Sequence, residues 1–178
     1  MSTVSRIRPL LVGLLVAGAT VGGLSGRAAP AQADTDTGST TANVQVGLAI
    51  TLSDLSPSFT LTGNPGAAVS TGGTPVTMRV TTNNFAGYNV TVQPAAADLV
   101  GAIVGNTDTI PMTLLEVNGP VQGGTFAALT PGTPLEVANK STASDPDGDV
   151  ISNDYRITVP FVRPDTYSGT INYVTTTL

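Results

Sequence analysis

The 178-residue chain contains no cysteine, no histidine and no tryptophan. Without histidine or cysteine it can build neither a Ser-His-Asp nor a Cys-His nucleophile system. Zinc, haem and iron–sulfur sites of the imidazole or thiolate kind are excluded as well. Many small exported domains rely on disulfides; with no cysteine, this chain must rely on its core. Charge is also sparse, at 11% of residues. Arg6, Arg8 and Arg27 lie within the first 33 positions, so the rest of the chain sets four basic residues against all twelve acids, a net charge of −8. Such a surface repels phosphate backbones and anionic headgroups, and no nucleic-acid partner is expected.

The one long apolar run is Leu10 to Leu24, preceded by Arg6 and Arg8 and followed by Ala31-Gln32-Ala33. A positive start, a short apolar stretch and a small-x-small site are the parts of a secretory signal peptide, with cleavage expected after Ala33. The run is about fifteen residues against the ~20 a spanning helix needs. No membrane span is therefore expected once residues 1–33 are removed. The remaining 145 residues suit one domain, placed at residues 43–178 behind a loose polar terminus, 34–42. Thr supplies 26 of those 145 residues, which suits strands with one wet face.

Alternation begins at Val44. Val44, Val46, Leu48, Ile50 and Leu52 share one face, a period of two that predicts a half-buried first strand. Phe59 and Leu61 continue the pattern. Such a strand is expected to pair within its own sheet; the alternative is addition to a neighbour's open edge. Val76 to Val92 predicts a hairpin turning at Asn83 to Gly87. Ala95 to Val104 is the one stretch that suits a helical turn or two. Further strands are expected around Ile110 to Leu114, Phe126 to Leu129, Leu135 to Ala138, Tyr155 to Phe161 and Tyr167 to Tyr173. Seven to nine short strands punctuated by Gly, Pro and Asn predict an all-β, two-sheet antiparallel sandwich, Ig-like in topology, with a β-barrel as the alternative.

Carboxylates are the reactive groups left. Glu116 and Glu136 are the candidates for an acid–base pair of the glycosidase kind, although an exposed strand position explains each equally well, and no enzyme activity is expected. Asp145-Pro146-Asp147-Gly148-Asp149 sets carboxylates at alternate positions of a turn. Asn153 and Asp154 are placed to complete a calcium shell of oxygen ligands. The EF-hand pattern itself is absent, because Val150 and Arg156 stand where its Gly and Glu belong. The segment resembles the DPDGD loops of extracellular calcium-binding repeats. A solvated acidic turn is the simpler reading. Asn89-Val90-Thr91 and Asn139-Lys140-Ser141 match the N-glycosylation pattern, a match common by chance.

Two stretches, VTMRVTTNNFAGYNVTVQ (Val76 to Gln93) and VRPDTYSGTINYVTTTL (Val162 to Leu178), resemble secreted β-sandwich surface proteins of Gram-positive bacteria, in particular WxL-type domains and fimbrial-like subunits. The composition is actinobacterial in character. The resemblance implies a β-sandwich at the cell surface. It does not carry over peptidoglycan binding, since the Trp of the Trp-x-Leu motif is missing. The sequence thus predicts a non-enzymatic, secreted or cell-surface structural or adhesive protein, with a wall or matrix component or like subunits as partners. A calcium-dependent extracellular binding module is the alternative, with calcium as its cofactor where the leading reading expects none, and a carboxylate-based hydrolase is a distant third.

Overall fold

The structure, a computed structural model, describes residues 34–178; the expected signal segment, 1–33, lies outside them. Residues 34–43 are exposed and carry no regular secondary structure. Val44–Leu178 forms one compact unit.

That unit is all-β, built from twelve strands rather than seven to nine. They are β1 (Ile50–Ser53), β2 (Ala68–Ser70), β3 (Val76–Thr82), β4 (Tyr88–Pro94), β5 (Asp98–Gly101) and β6 (Thr109–Pro111), then β7 (Leu115–Asn118), β8 (Ala127–Ala128), β9 (Leu135–Lys140), β10 (Asp149–Thr158), β11 (Tyr167–Ser168) and β12 (Ile171–Thr177). The main sheet runs β1-β3-β10-β7-β8, with β2 joining it on β10. A second sheet runs β12-β4-β9, and a small third one β11-β5-β6. Every pairing is antiparallel. The sheets stay open at their edges, so the protein is a sandwich and not a barrel.

The period-two pattern produces the core. Val76, Met78 and Val80 of β3 and Tyr88, Val90 and Val92 of β4 are buried, while the residues between them are half-buried. These faces meet Val117, Val137, Ile151, Tyr155 and Ile157 in one continuous cluster. Polar contacts also cross between the sheets. The hydroxyls of Tyr155 on β10 and Tyr173 on β12 hydrogen-bond each other, and Asn153 Nδ2 donates to Tyr173 Oη at 3.3 Å. Burial pushes both tyrosine pKa values up, so both hydroxyls stay protonated.

Four expectations from the sequence are corrected. First, β3 and β4 do not form a hairpin. They belong to different sheets, and Asn83 to Gly87 arches over one end of the sandwich between them. Both strands point a full apolar face inward, which a one-faced hairpin in a single sheet cannot distinguish from an arch between two. Second, the first strand is shorter than its alternation, because only Ile50–Ser53 pairs with β3. Val44, Val46 and Leu48 are 87%, 79% and 65% exposed. Third, Ala95 to Val104 makes strand β5 rather than a helical turn. Fourth, Phe59 and Leu61 lie outside any strand, yet they pack on the core, with the Phe59 ring stacked on Tyr155 at 4.5 Å.

The registers fix the two ends of the sandwich. Ile50 pairs with Thr82, Tyr88 with Thr177 and with Lys140, and Asp149 with Val80. The segments at 44–49, 83–87 and 141–148 therefore gather at one end, the arch end. Pro94 pairs with Ile171 and Leu115 with Ile157, so β5, β6, β11 and the 159–166 segment lie at the opposite end. At ~3.3 Å per residue, the ten-residue β10 spans ~33 Å between them.

Candidate functional site

The acidic loop between β9 and β10 lies at the arch end, and local chemistry shapes it. Gly148 N donates to Asp145 O at 2.8 Å, closing a tight turn, and Gly148 has φ +81°, the left-handed conformation glycine tolerates best. A side chain there would also strike Arg79 and Thr81. Arg79 Nη1 donates to the carbonyls of Asp147 and Gly148, at 2.7 and 3.3 Å, and its Nε pairs with Asp54. Two carbonyls that a cation would seek are thus held by a guanidinium.

Asp149 is the hub of this end. Lys140 Nζ lies 3.0 Å from both of its carboxylate oxygens, Tyr88 Oη donates to it at 2.8 Å, and the Asp145 amide donates at 3.2 Å. Partial burial pushes its pKa up, but the hydrogen bonds from Lys140, Tyr88 and the Asp145 amide outweigh that and hold it below the usual carboxylate range. The Tyr88 hydroxyl is pushed up, by burial first and by Asp149 second. Lys140 and Tyr88 belong to the second sheet and Asp149 to the main one, so this cluster ties the two sheets together.

The five candidate calcium ligands are not brought together. Asn153 is fully buried, facing Tyr173 inside the core, with its Oδ1 accepting no hydrogen bond. It lies four strand residues from Asp149, about 13 Å along β10. Asp154 accepts from Thr71 Oγ1 at 3.1 Å and lies beside β7. Asp145 and Asp147 remain in the turn, and Asp149 opens β10 beside it. Among the described residues no group of three or more acidic, His or Cys side chains is placed to hold a metal ion. The candidate acid–base pair is separated as well. Glu116, on the outer face of the main sheet, binds Arg156 Nη2 at 2.7 Å, and that guanidinium stacks 4.3 Å over Phe126. Glu136 pairs with Thr91 on the outer face of the second sheet and accepts from Asn139. Sheets pack ~10 Å apart and these side chains point away from each other, beyond the ~5–9.5 Å that glycosidase carboxylates span.

What the sequence did not reveal is the distribution of exposed apolar side chains. At the arch end Val44, Val46, Leu48 and Phe85 face solvent, Phe85 at 91%. Val46, Leu48 and Phe85 border an open groove of about 750 Å³ whose other wall is Ala143 to Pro146. Asn83 props the segment 44–49: its Oδ1 accepts from Ala49 N at 2.9 Å and its Nδ2 donates to Gly47 O at 2.8 Å. At the opposite end Val100, Ile103, Val104 and Phe161 are exposed, Phe161 at 94%. The loop that carries Ile103 is anchored on Asp165, which accepts from Asn106 Nδ2 at 2.7 Å and from the Ile103 amide at 3.0 Å. The Asn106 hydrogen bond is the main cause of the lowered Asp165 pKa. Alternation alone pointed to Val44 and Val46 as buried; only the missing partner strand reverses that.

No protein-family model matches the sequence, and no curated protein matches it.

Proposed function

We propose that this protein is a non-enzymatic structural or adhesive subunit that works outside the cell, at the surface or in a matrix. The observation that carries this reading is the concentration of large exposed apolar side chains at the two ends of the sandwich: Val44, Val46, Leu48 and Phe85 at one, Val100, Ile103, Val104 and Phe161 at the other. A surface of this kind marks contact with another macromolecule. The reactive groups support the same reading, because Lys140, Arg79, Arg156 and Arg163 each stand in an ion pair with a carboxylate. The leader-like residues 1–33 supply the expected route out. Wall or matrix material and further copies of the chain are the partners this reading names.

The test is fractionation of the producing cells into medium, wall, membrane and cytoplasm, combined with pull-down of purified protein on whole cells and on isolated wall. Recovery outside the cytoplasm, with retention on cells or wall or as multimers, is the expected result. A cytoplasmic protein, or a secreted monomer that binds neither cells nor wall, refutes the proposal.

A further inference from the structure

We propose that the arm Val44–Ala49 of one molecule adds as a strand to the β12 edge of a second copy placed head to tail. This builds an open chain of subunits, and it rests on the structural-subunit reading above. Three observations on different elements converge on it.

The first is the arm itself. It continues the alternation of β1, but among the described residues only its base, Gly47 and Ala49, is hydrogen-bonded, through Asn83 and Thr82. Among the described residues the backbone groups of Val44, Gln45 and Val46 find no partner, and the side chains of Val44, Val46 and Leu48 lie open.

The second is the receiving edge. β12 ends its sheet and pairs only with β4. Edge strands are normally protected by charge, proline or a bulge. The other edge of that sheet, β9, carries Glu136 and Lys140 and a register shift opposite Val90 and Thr91. β12 has none of these protections across its seven residues. Its inward residues Ile171 and Tyr173 are only partly buried, so the core is incompletely covered along this edge. No charged side chain occurs from Val44 to Ser53 or from Thr166 to Leu178. Residues 34–178 carry a net charge of −8, and these are two surfaces that meet without repulsion.

The third is direction. The arm leads into β1, which runs from the arch end toward the opposite end, whereas β12 runs toward the arch end, from Ile171 beside Pro94 to Thr177 beside Tyr88. In a head-to-tail stack the next molecule has the same orientation, and the arm meets its β12 antiparallel, like every other pairing in the protein. A two-fold arrangement across the arch ends would force the arm to lie parallel to β12. Head-to-tail stacking also brings Phe85 of one copy against Phe161, Ile103 and Val104 of the next, so both exposed apolar groups fall in one contact. The arm side chains carry roughly 60–120 Å² of apolar surface each, and each Phe ~150–250 Å². With the surfaces they cover, the contact approaches the ~1,200 Å² at which stable interfaces begin. A heterologous contact of this kind does not close and propagates.

The experiment uses three forms of the full chain: unaltered, arm-blocked (Val46→Asp with Leu48→Asp) and edge-blocked (Asn172→Lys with Val174→Lys). All four positions are exposed, so the variants keep the wild-type melting temperature as monomers. Sedimentation velocity over a concentration series is expected to show the unaltered protein growing past the dimer, with each variant alone monomeric. A 1:1 mixture of the two variants is expected to give a dimer and nothing larger, since one intact arm meets one intact edge. Separately, Gln45→Cys mixed with Asn172→Cys, both on the outer face, is expected to form an intermolecular disulfide, which reports the contact even if a charged variant folds poorly. The inference is overturned by an unaltered protein that stays monomeric or stops at a dimer, by either variant assembling as the unaltered protein does, by a monomeric mixture, or by absence of the cross-link. Assembly that behaves as expected in a protein recovered from the cytoplasm would sink the functional reading and leave this one standing.

Discussion

Gly119 gives the sharpest test of the packing between the sheets. Its φ of −106° and ψ of −175° are extended values that any residue adopts, so replacing it with alanine costs little in backbone strain. The obstacle is space. A Cβ at this position would lie 2.6 Å from Val137 O and 2.9 Å from Val137 Cβ, and closer still to Asn153 Oδ1. The first two atoms belong to the β9 backbone and its buried side chain. The third belongs to an amide locked in the core by Tyr173. Overpacking of this kind costs about 1–3 kcal/mol, and loss of the Asn153–Tyr173 hydrogen bond adds about 1 kcal/mol. The expected destabilisation for Gly119→Ala is about 3 kcal/mol, or ~10 °C in Tm for a domain of this size. Gly73 is the control: it has open space around it and no positive φ, so Gly73→Ala should be neutral or stabilising by up to ~1 kcal/mol. Urea titrations of both variants supply the numbers, read as a shift in midpoint at constant m. The double variant Gly119→Ala/Asn153→Ala should cost less than the sum of its parts, because removing the amide makes room for the methyl. If Gly119→Ala matches Gly73→Ala, then Gly119 is not packed against Asn153 and Val137 as described.

Other outcomes follow from the same contacts. Calcium at millimolar concentration should leave Tm unchanged within ~1 °C, since a ligand that binds only the folded state must raise it and the candidate ligands are dispersed; a clear rise in a thermal shift assay would contradict that. Asp149 has a lowered pKa in the fold, so its contribution is present above the unfolded value of ~3.9 and is lost as pH falls through the lower folded value. Acid titration of stability should therefore steepen below about pH 4, and Asp149→Asn should flatten that limb. Phe59→Ala removes a ring stacked on Tyr155 and should cost about 2–3 kcal/mol in chemical denaturation, less than a fully buried Phe because Phe59 is half-exposed. Arg156→Ala breaks a part-exposed pair with Glu116 and should change stability by no more than about 1 kcal/mol.

The class of fold was legible because period-two burial is a local property. Val76 to Val80 and Tyr88 to Val92 announce their inward faces without knowing what they face. What they pair with is not local. Tyr88 and Asp149 are 61 residues apart, and nothing near either names the other. The same gap explains the arm: Val44 and Val46 have the pattern of a buried strand, yet their burial depends on a partner that the described residues do not supply. Asp145 and Asp147 share one turn with Pro146 and Gly148, and Asp149 follows it as the first residue of β10. Asn153 and Asp154 looked adjacent in sequence but sit within an extended strand, where each residue carries the chain ~3.3 Å onward and successive side chains point to opposite faces. Glu116 and Glu136 were plausible partners only while the sheet each belonged to was unknown.

The arch between β3 and β4 has a consequence in time. The consecutive strands β3 and β4 do not pair with each other: β3 waits for β10, 149–158, while β4 waits for β9 and for β12, 171–177. A growing chain of 130 residues therefore holds neither the central strand of the main sheet nor either partner of β4. Folds dominated by such distant pairings form slowly, because loop closure must precede any reward. A polypeptide that the proposed function sends across a membrane through a narrow channel needs that delay. The order of the strands along the chain supplies it, since the sandwich cannot close until β12, 171–177, has been made.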